Sequence, residues 1–112
     1  MLKAQIIGNL GADAVINQVG DATVINFSIA HNERIKNSDG TIREATTWIN
    51  CSMWRKAGHS IEVAKYLNRG QQVYIEGTPS VNVFRDSNGQ HRPDFKLKVR
   101  ELKLIGGNNR EA

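Results

Sequence analysis

The segment Thr47-Trp48-Ile49-Asn50-Cys51-Ser52-Met53-Trp54 repeats at a period of two, the period of a strand and not of a helix. Ile49, Cys51 and Met53 point to one side. Trp48, Asn50, Ser52 and Trp54 point to the other, so both tryptophans of the chain fall on the polar face. A rise of about 3.3 Å per residue sets the two indoles roughly 20 Å apart. Two readings fit that placement: a platform for flat ligands, or rings covered by a loop or a second subunit.

The rest of the chain is patterned in the same way. Leu2, Ala4 and Ile6 alternate with polar neighbours until Gly8-Asn9-Leu10-Gly11 breaks the run. Ile25, Phe27 and Ile29 mark a second strand, and the tryptophan segment is the third. Gln71 to Glu76 forms a fourth, with Val73 and Ile75 inward. Gly77 and Pro79 signal a bend, bulge or edge before the pattern resumes at Val81-Asn82-Val83-Phe84. The last strand runs from about Asp94 to Ile105, with Phe95, Leu97 and Val99 on one face and Lys96, Lys98 and Arg100 on the other. Its apolar phase then moves to Leu102 and Leu104, which predicts a bulge near Arg100-Glu101.

Ser60 to Arg69 reads as one α-helix, with Ser60 as N-cap, Glu62 in the first turn, Ile61, Ala64 and Leu67 on one side, and Gly70 at C′. Glu33 to Thr46 reads as a basic loop, and Asp86-Ser87-Asn88-Gly89 as the tight turn of an arm. Three strands, a helix and two strands is the order of the OB-fold, a mainly all-β architecture. Here it is expected as a five-stranded barrel with one α-helix between strands three and four and long β-hairpin arms. The expected domain is 1–105, with a polar, disordered tail at 106–112.

Several function classes lose support here. The single cysteine cannot form an internal disulfide, and its phase places it in the core. His31, His59 and His91 are too far apart to suggest a metal site, and Gly8-Asn9-Leu10-Gly11 lacks the Lys and Ser/Thr of a phosphate loop. No metal, cofactor or enzymatic reaction is expected. The N-terminus lacks the pattern of a signal or transit peptide, and no apolar run approaches the roughly 20 residues of a membrane span. A bacterial cytoplasmic location is the simplest expectation.

Fifteen Lys and Arg against eleven Asp and Glu leave a net charge of +4, compatible with a polyanion partner. Single-stranded nucleic acid exposes flat bases and a charged backbone, so a binder that ignores sequence needs open rings with cations beside them. Trp48 and Trp54 are followed by Arg55 and Lys56, and Phe84 is a third outward ring, flanked by Arg85 and Arg92. Asn50 and Ser52 lie between the indoles, and Arg34 and Lys36 lie in the basic loop.

At these residues the chain resembles the bacterial single-stranded DNA-binding protein family, over about residues 2–107. Lys3 with Gly8-Asn9-Leu10-Gly11 and Asp13 is similar to the family's opening strand, and Thr47-Trp48 to its third. Tyr66-Leu67-Asn68-Arg69-Gly70 with Val73-Tyr74-Ile75-Glu76-Gly77 is the best match. Phe84-Arg85-Asp86-Ser87-Asn88-Gly89 resembles the family's long arm. The resemblance implies an OB-fold assembled as a homotetramer, a dimer of dimers, around which single-stranded DNA wraps. It carries the stacking role to Trp48, Trp54 and Phe84, and phosphate contacts to Lys3, Lys56, Arg69 and Arg92. Arg34 stands where the family has an aromatic residue, and Ile49 where many members have a His. The family's linker and acidic tip are absent from these 112 residues, which puts recruitment of replication and repair partners in question. The function expected is sequence-independent binding and protection of single-stranded DNA in replication, recombination and repair. An RNA-binding or replication-accessory OB module is the alternative, and a protein that buries both indoles at protein interfaces is a third reading.

Overall fold

Strands fill most of the computed structural model, which describes residues 1–106. They are β1 (Ala4–Leu10), β2 (Val15–Val19), β3 (Ala22–Lys36), β4 (Ile42–Arg55), β5 (Gln72–Arg85) and β6 (His91–Ile105). The sheet order is β1-β5-β6-β4-β3-β2, and a second pairing of β1 with β3 closes β1, β3, β4, β5 and β6 into a five-stranded barrel. All neighbours are antiparallel except β4 and β6, which run parallel over Asn50–Ser52 and Lys96–Lys98.

The barrel interior holds the inward residues of the alternation. Ile25, Phe27 and Ile29 of β3, Ile49, Cys51 and Met53 of β4, Val73 and Ile75 of β5, and Leu97 and Val99 of β6 are all buried in one cluster. Burial pushes the Cys51 thiol up to about 12, so it stays protonated and behaves as a small apolar side chain. The anticipated bulge is present. Glu76 pairs with Glu101 but Gly77 pairs with Val99, leaving Arg100 as the extra residue. That one residue shifts the phase, so Leu97 and Val99 on one side of it and the partly buried Leu102 on the other all face inward.

Four expectations change. The predicted α-helix at Ser60–Arg69 is a 3₁₀ turn at Glu62–Tyr66, with i→i+3 bonds from Ala64 N to Ile61 O and from Leu67 N to Ala64 O. The Ser60 hydroxyl does accept from the Glu62 N–H. The chain beyond Tyr66 is drawn into tertiary bonds instead of a helical ladder. Leu67 O accepts from Ala14, the Arg69 N–H donates to Asp13, and Gly70 N donates to Leu10 O. Leu67 is thereby driven into the core while Ile61 stays exposed. Gly70 has its expected positive φ, but within the Asn68–Gln71 turn.

β2 is a sixth strand that the pattern did not reveal. It is an edge strand whose residues are all exposed, so it carries no inside-outside signal. β1 continues through Gly8 to Leu10 instead of breaking there. Glu33 to Thr46 is not a loop but mostly a hairpin arm, paired from Glu33↔Ala45 to Lys36↔Ile42 around an Asn37–Thr41 turn. Both faces of that arm meet solvent, which removes the alternation that marks a half-buried strand. Of the tail expected to be disordered, residues 107–112 lie outside the described residues.

Gly77 is fixed by close approach at the bulge: a Cβ there would stand 2.0 Å from the backbone oxygen of Lys98. Backbone cannot swing aside as a side chain can. Gly77→Ala should therefore destabilise the barrel by about 1–3 kcal/mol, the range of overpacked sites. Urea unfolding read by circular dichroism measures this, and an unchanged midpoint would refute it.

Candidate nucleic-acid interface

Cross-strand pairing decides which side chains share a face, and it assembles one broad outer surface from four strands. On β4 the row is Trp48, Asn50, Ser52 and Trp54. β3 places Ala30, Ser28, Asn26 and Val24 opposite them. The parallel contact sets Lys96 beside Asn50 and Lys98 beside Ser52. β5 continues the same side with Ser80 opposite Lys96, Asn82 opposite Asp94, and Phe84 opposite Arg92. The three rings thus lie on one continuous face, with a lysine row between the β4 pair and the β5 ring.

The rings are open. Trp48 is 54% exposed, Trp54 42% and Phe84 49%, which leaves each with free area for stacking. Trp48 is seated on Gly11, where a Cβ would come within 2.7 Å of the indole Cζ3. Beside it is a depression of about 590 Å³, lined by Gly11, Ala12, Asp13, Val15, Asn26, Ser28 and Asn50 among others. Small-ligand clefts span roughly 300–1,000 Å³, so a base has room there. Trp54 borders a second groove with Arg55, Lys56, His59, Ser60 and Val63. Its cross-strand neighbour Val24 is buried although it lies on the outer side.

A hydrogen-bond chain fixes the middle of the face. The Ser28 hydroxyl donates to Asn50 Oδ1 at 2.9 Å, and Asn50 Nδ2 donates to Asp94 Oδ1 at 2.6 Å. Because a carboxylate only accepts, Asp94 determines which way the Asn50 amide points. At the tip of the β5–β6 arm, Asp86 accepts from Asn88 N, Gln90 N and Arg92 Nε. The Arg92 guanidinium and those two amides hold the Asp86 carboxyl below the usual carboxylate range. Its ionised form therefore supports the turn above the ordinary Asp value, and that support fades as pH falls through the lowered one. Gly89 supplies the positive φ the turn needs.

The cations expected from sequence divide into two sets. Lys56 borders the Trp54 groove, Arg92 shares the Phe84 face, and Arg34 and Lys36 extend the Trp48 face along the β3–β4 arm. The others are bonded elsewhere or lie off this face. Arg55 lines the Trp54 groove, but its guanidinium reaches back to the Met53 sulfur at 3.6 Å and the Trp54 carbonyl at 3.3 Å. By the same alternation Arg85 faces away from Phe84, opposite His91. Arg69 bonds through its backbone N–H to Asp13, which lines the Trp48 depression, and is not itself part of that lining. Lys3 lies on the outer side of β1 and β5, 2.9 Å from Glu76. The Tyr74 hydroxyl and the Lys3 ammonium hold that Glu76 carboxyl low. Sequence reasoning did not single out Val15, Asn26, Ser28 or Asp94 for this surface. Lys96 and Lys98 were legible as a basic stripe, but only the register shows that they adjoin the tryptophan row.

A family model described as "Single-strand binding protein family" matches residues 1–105. Single-stranded DNA-binding proteins of Neisseria meningitidis and Xylella fastidiosa are each 34% identical, over 98% and 94% of this chain. The chain spans 63% of the length of each. The fold is shared with a solved Plasmodium falciparum SSB complex with ssDNA, with a TM-score of 0.75, 22% identity, and coverage of 95% of this chain and 96% of that one. It is also shared with a small single-stranded DNA-binding protein from Streptomyces coelicolor, with a TM-score of 0.71, 14% identity, and coverage of 93% and 94%.

The seat under Trp48 can be tested without a ligand. Gly11→Ala should push the indole off its position while changing stability by no more than ~0.5 kcal/mol, as surface substitutions usually do. In a Trp54→Phe background the Trp48 emission maximum should shift. An unmoved maximum would mean that the ring does not rest on Gly11.

Proposed function

This chain belongs to the single-strand binding protein family, and from that premise we propose that it binds and protects single-stranded DNA without reading its sequence. The observation that carries the reading is the shared face: two half-open indoles and Phe84 on one side of the barrel, with Lys96 and Lys98 between them. Bases stack on the three rings, because every base has a flat face whatever its identity. The backbone runs past Lys96, Lys98, Lys56 and Arg92, with Arg34 and Lys36 taking it up along the β3–β4 arm. Asn50 and Ser52 supply polar contacts between the indoles. Arg55 adds a cation at the Trp54 groove, and Lys3, Arg69 and Arg85 meet the strand only where it leaves this face.

The proposed setting is that of a soluble, cytoplasmic protein acting on exposed strands during replication, recombination and repair. Among the described residues no helix is long and apolar enough to cross a membrane. We assign the chain to a homotetramer, a dimer of dimers. The open edge of β1 supports assembly: over Ala4–Gly8 one side pairs with β5, and the other side meets β3 only at Asn9 and Leu10. A solution mass of four chains is the expected result.

Titration of tryptophan fluorescence with oligo-dT, oligo-rU and duplex DNA tests the reading. Strong quenching by oligo-dT and weak response to duplex is expected, and oligo-rU as the stronger ligand would favour the RNA alternative. Trp54→Ala should weaken oligo-dT binding by about 1–3 kcal/mol, the value of one base stack. Affinity should also fall with salt at a log–log slope of about −0.7 per phosphate contacted. A flat salt response would remove the cationic path.

A further inference from the structure

An acid stands in the row between the rings of the stacking face, in addition to the Asp13 that lines the Trp48 depression. Asp94 is on the outer side of β6, opposite Asn82 and in the row next to Lys96. Phe84 is its diagonal neighbour on β5, a spacing of roughly 7–8 Å in a sheet. Asn50, two residues from Trp48 on β4, reaches it through the 2.6 Å bond from Nδ2. The carboxylate is therefore set between two of the three rings.

Its acceptor capacity is only partly used. An ionised carboxylate offers about four acceptor sites. Asn50 takes one on Oδ1, while Oδ2 is 3.7 Å from Lys96 Nζ, beyond hydrogen-bond distance. The side chain keeps 20% exposure, so a base laid against the face can reach it. Asn50 cannot turn round to offer a donor there, because Ser28 holds its Oδ1 and Asp94 its Nδ2.

We infer that Asp94 gives this surface a base preference on top of its sequence-independent stacking. Cytosine, adenine and guanine carry exocyclic amino groups that donate to a carboxylate. Thymine presents carbonyl oxygens at the corresponding positions, which face the acid acceptor to acceptor, and its single donor, N3–H, lies between those two oxygens. The carboxylate also lowers affinity for every sequence by adding a negative charge to the phosphate path. The two effects separate cleanly, since the general repulsion cancels in a ratio of affinities and the base preference does not.

The inference rests on the single-strand-binding reading. Its test is a titration of the full chain with oligo-dC and oligo-dT of equal length, for the unmodified protein and for Asp94→Asn. Comparing variants removes the intrinsic difference between the two oligonucleotides. Asp94→Asn replaces an acceptor-only group with one that also donates, so the dC/dT affinity ratio should fall by about three- to tenfold, the factor of one hydrogen bond. Absolute affinity for oligo-dT should rise, because it sheds the negative charge and gives up no amino-group contact. Lys96→Gln is the control for charge alone: it should weaken both oligonucleotides equally and leave the ratio in place. An unchanged ratio in Asp94→Asn would overturn the inference, and so would an equal change of ratio in Lys96→Gln. If the unmodified protein bound neither oligonucleotide, the binding reading itself would fall, a result distinct from binding with a fixed ratio.

Discussion

The extra residue at Arg100 holds the architecture together. A closed barrel requires every strand to keep one face inward along its whole length. β6 carries inward residues at Leu97 and Val99 and again at Leu102, positions that differ in parity. Without an inserted residue, one of the two groups would point into solvent. The bulge opposite Glu76 and Gly77 removes that conflict. It also decides where the lysines point. With Leu97 and Val99 inward, Lys96 and Lys98 must face outward, beside Asn50 and Ser52. The hydrophobic demand of the core thus places the cations next to the tryptophan row.

The same alternation explains why two large aromatic rings remain exposed. Ile49, Cys51 and Met53 fill the interior side of β4, so Trp48 and Trp54 have only the outer side left to them. Exposing an indole forgoes burial worth a few kcal/mol by the usual area relation. That cost is offset if a ligand supplies the second face of the ring. The small neighbours suit such use: Gly11 leaves room for the Trp48 ring against the backbone, and Ser28, Asn50 and Ser52 are small residues beside the tryptophan row.

Sequence pattern and structure agree where a strand has one wet and one dry face. β3, β4 and β6 are half-buried, and their core residues, the buried cysteine and the bulge all follow from period two. β2 and the β3–β4 arm have no dry face, so the pattern is silent there and only pairing defines them. The connector after β4 has good helix signals, but Leu67, Arg69 and Gly70 bond across to Leu10, Asp13 and Ala14. Tertiary bonds overrode local propensity. Within the site, the rings were legible because their phase is local. Arg85 was grouped with Phe84 by nearness in sequence, although alternation turns it to the opposite side from its aromatic neighbour. The Ser28–Asn50–Asp94 chain was not legible at all. It joins residues 22 and 44 positions apart, and only the barrel brings them together.

The central claim is that the face shared by β4, β5 and β6 receives the strand. Backbone and indole chemical shifts during titration with a short oligo-dT test it most directly. The predicted result is perturbation of the Trp48 and Trp54 indole N–H signals and of the amides of Ser52, Phe84, Lys96 and Lys98, with Gln5, Tyr74 and Lys103 on the β1–β5–β6 outer side nearly still. Perturbations concentrated at Gln5, Tyr74 and Lys103, with the indole signals unmoved, would contradict it.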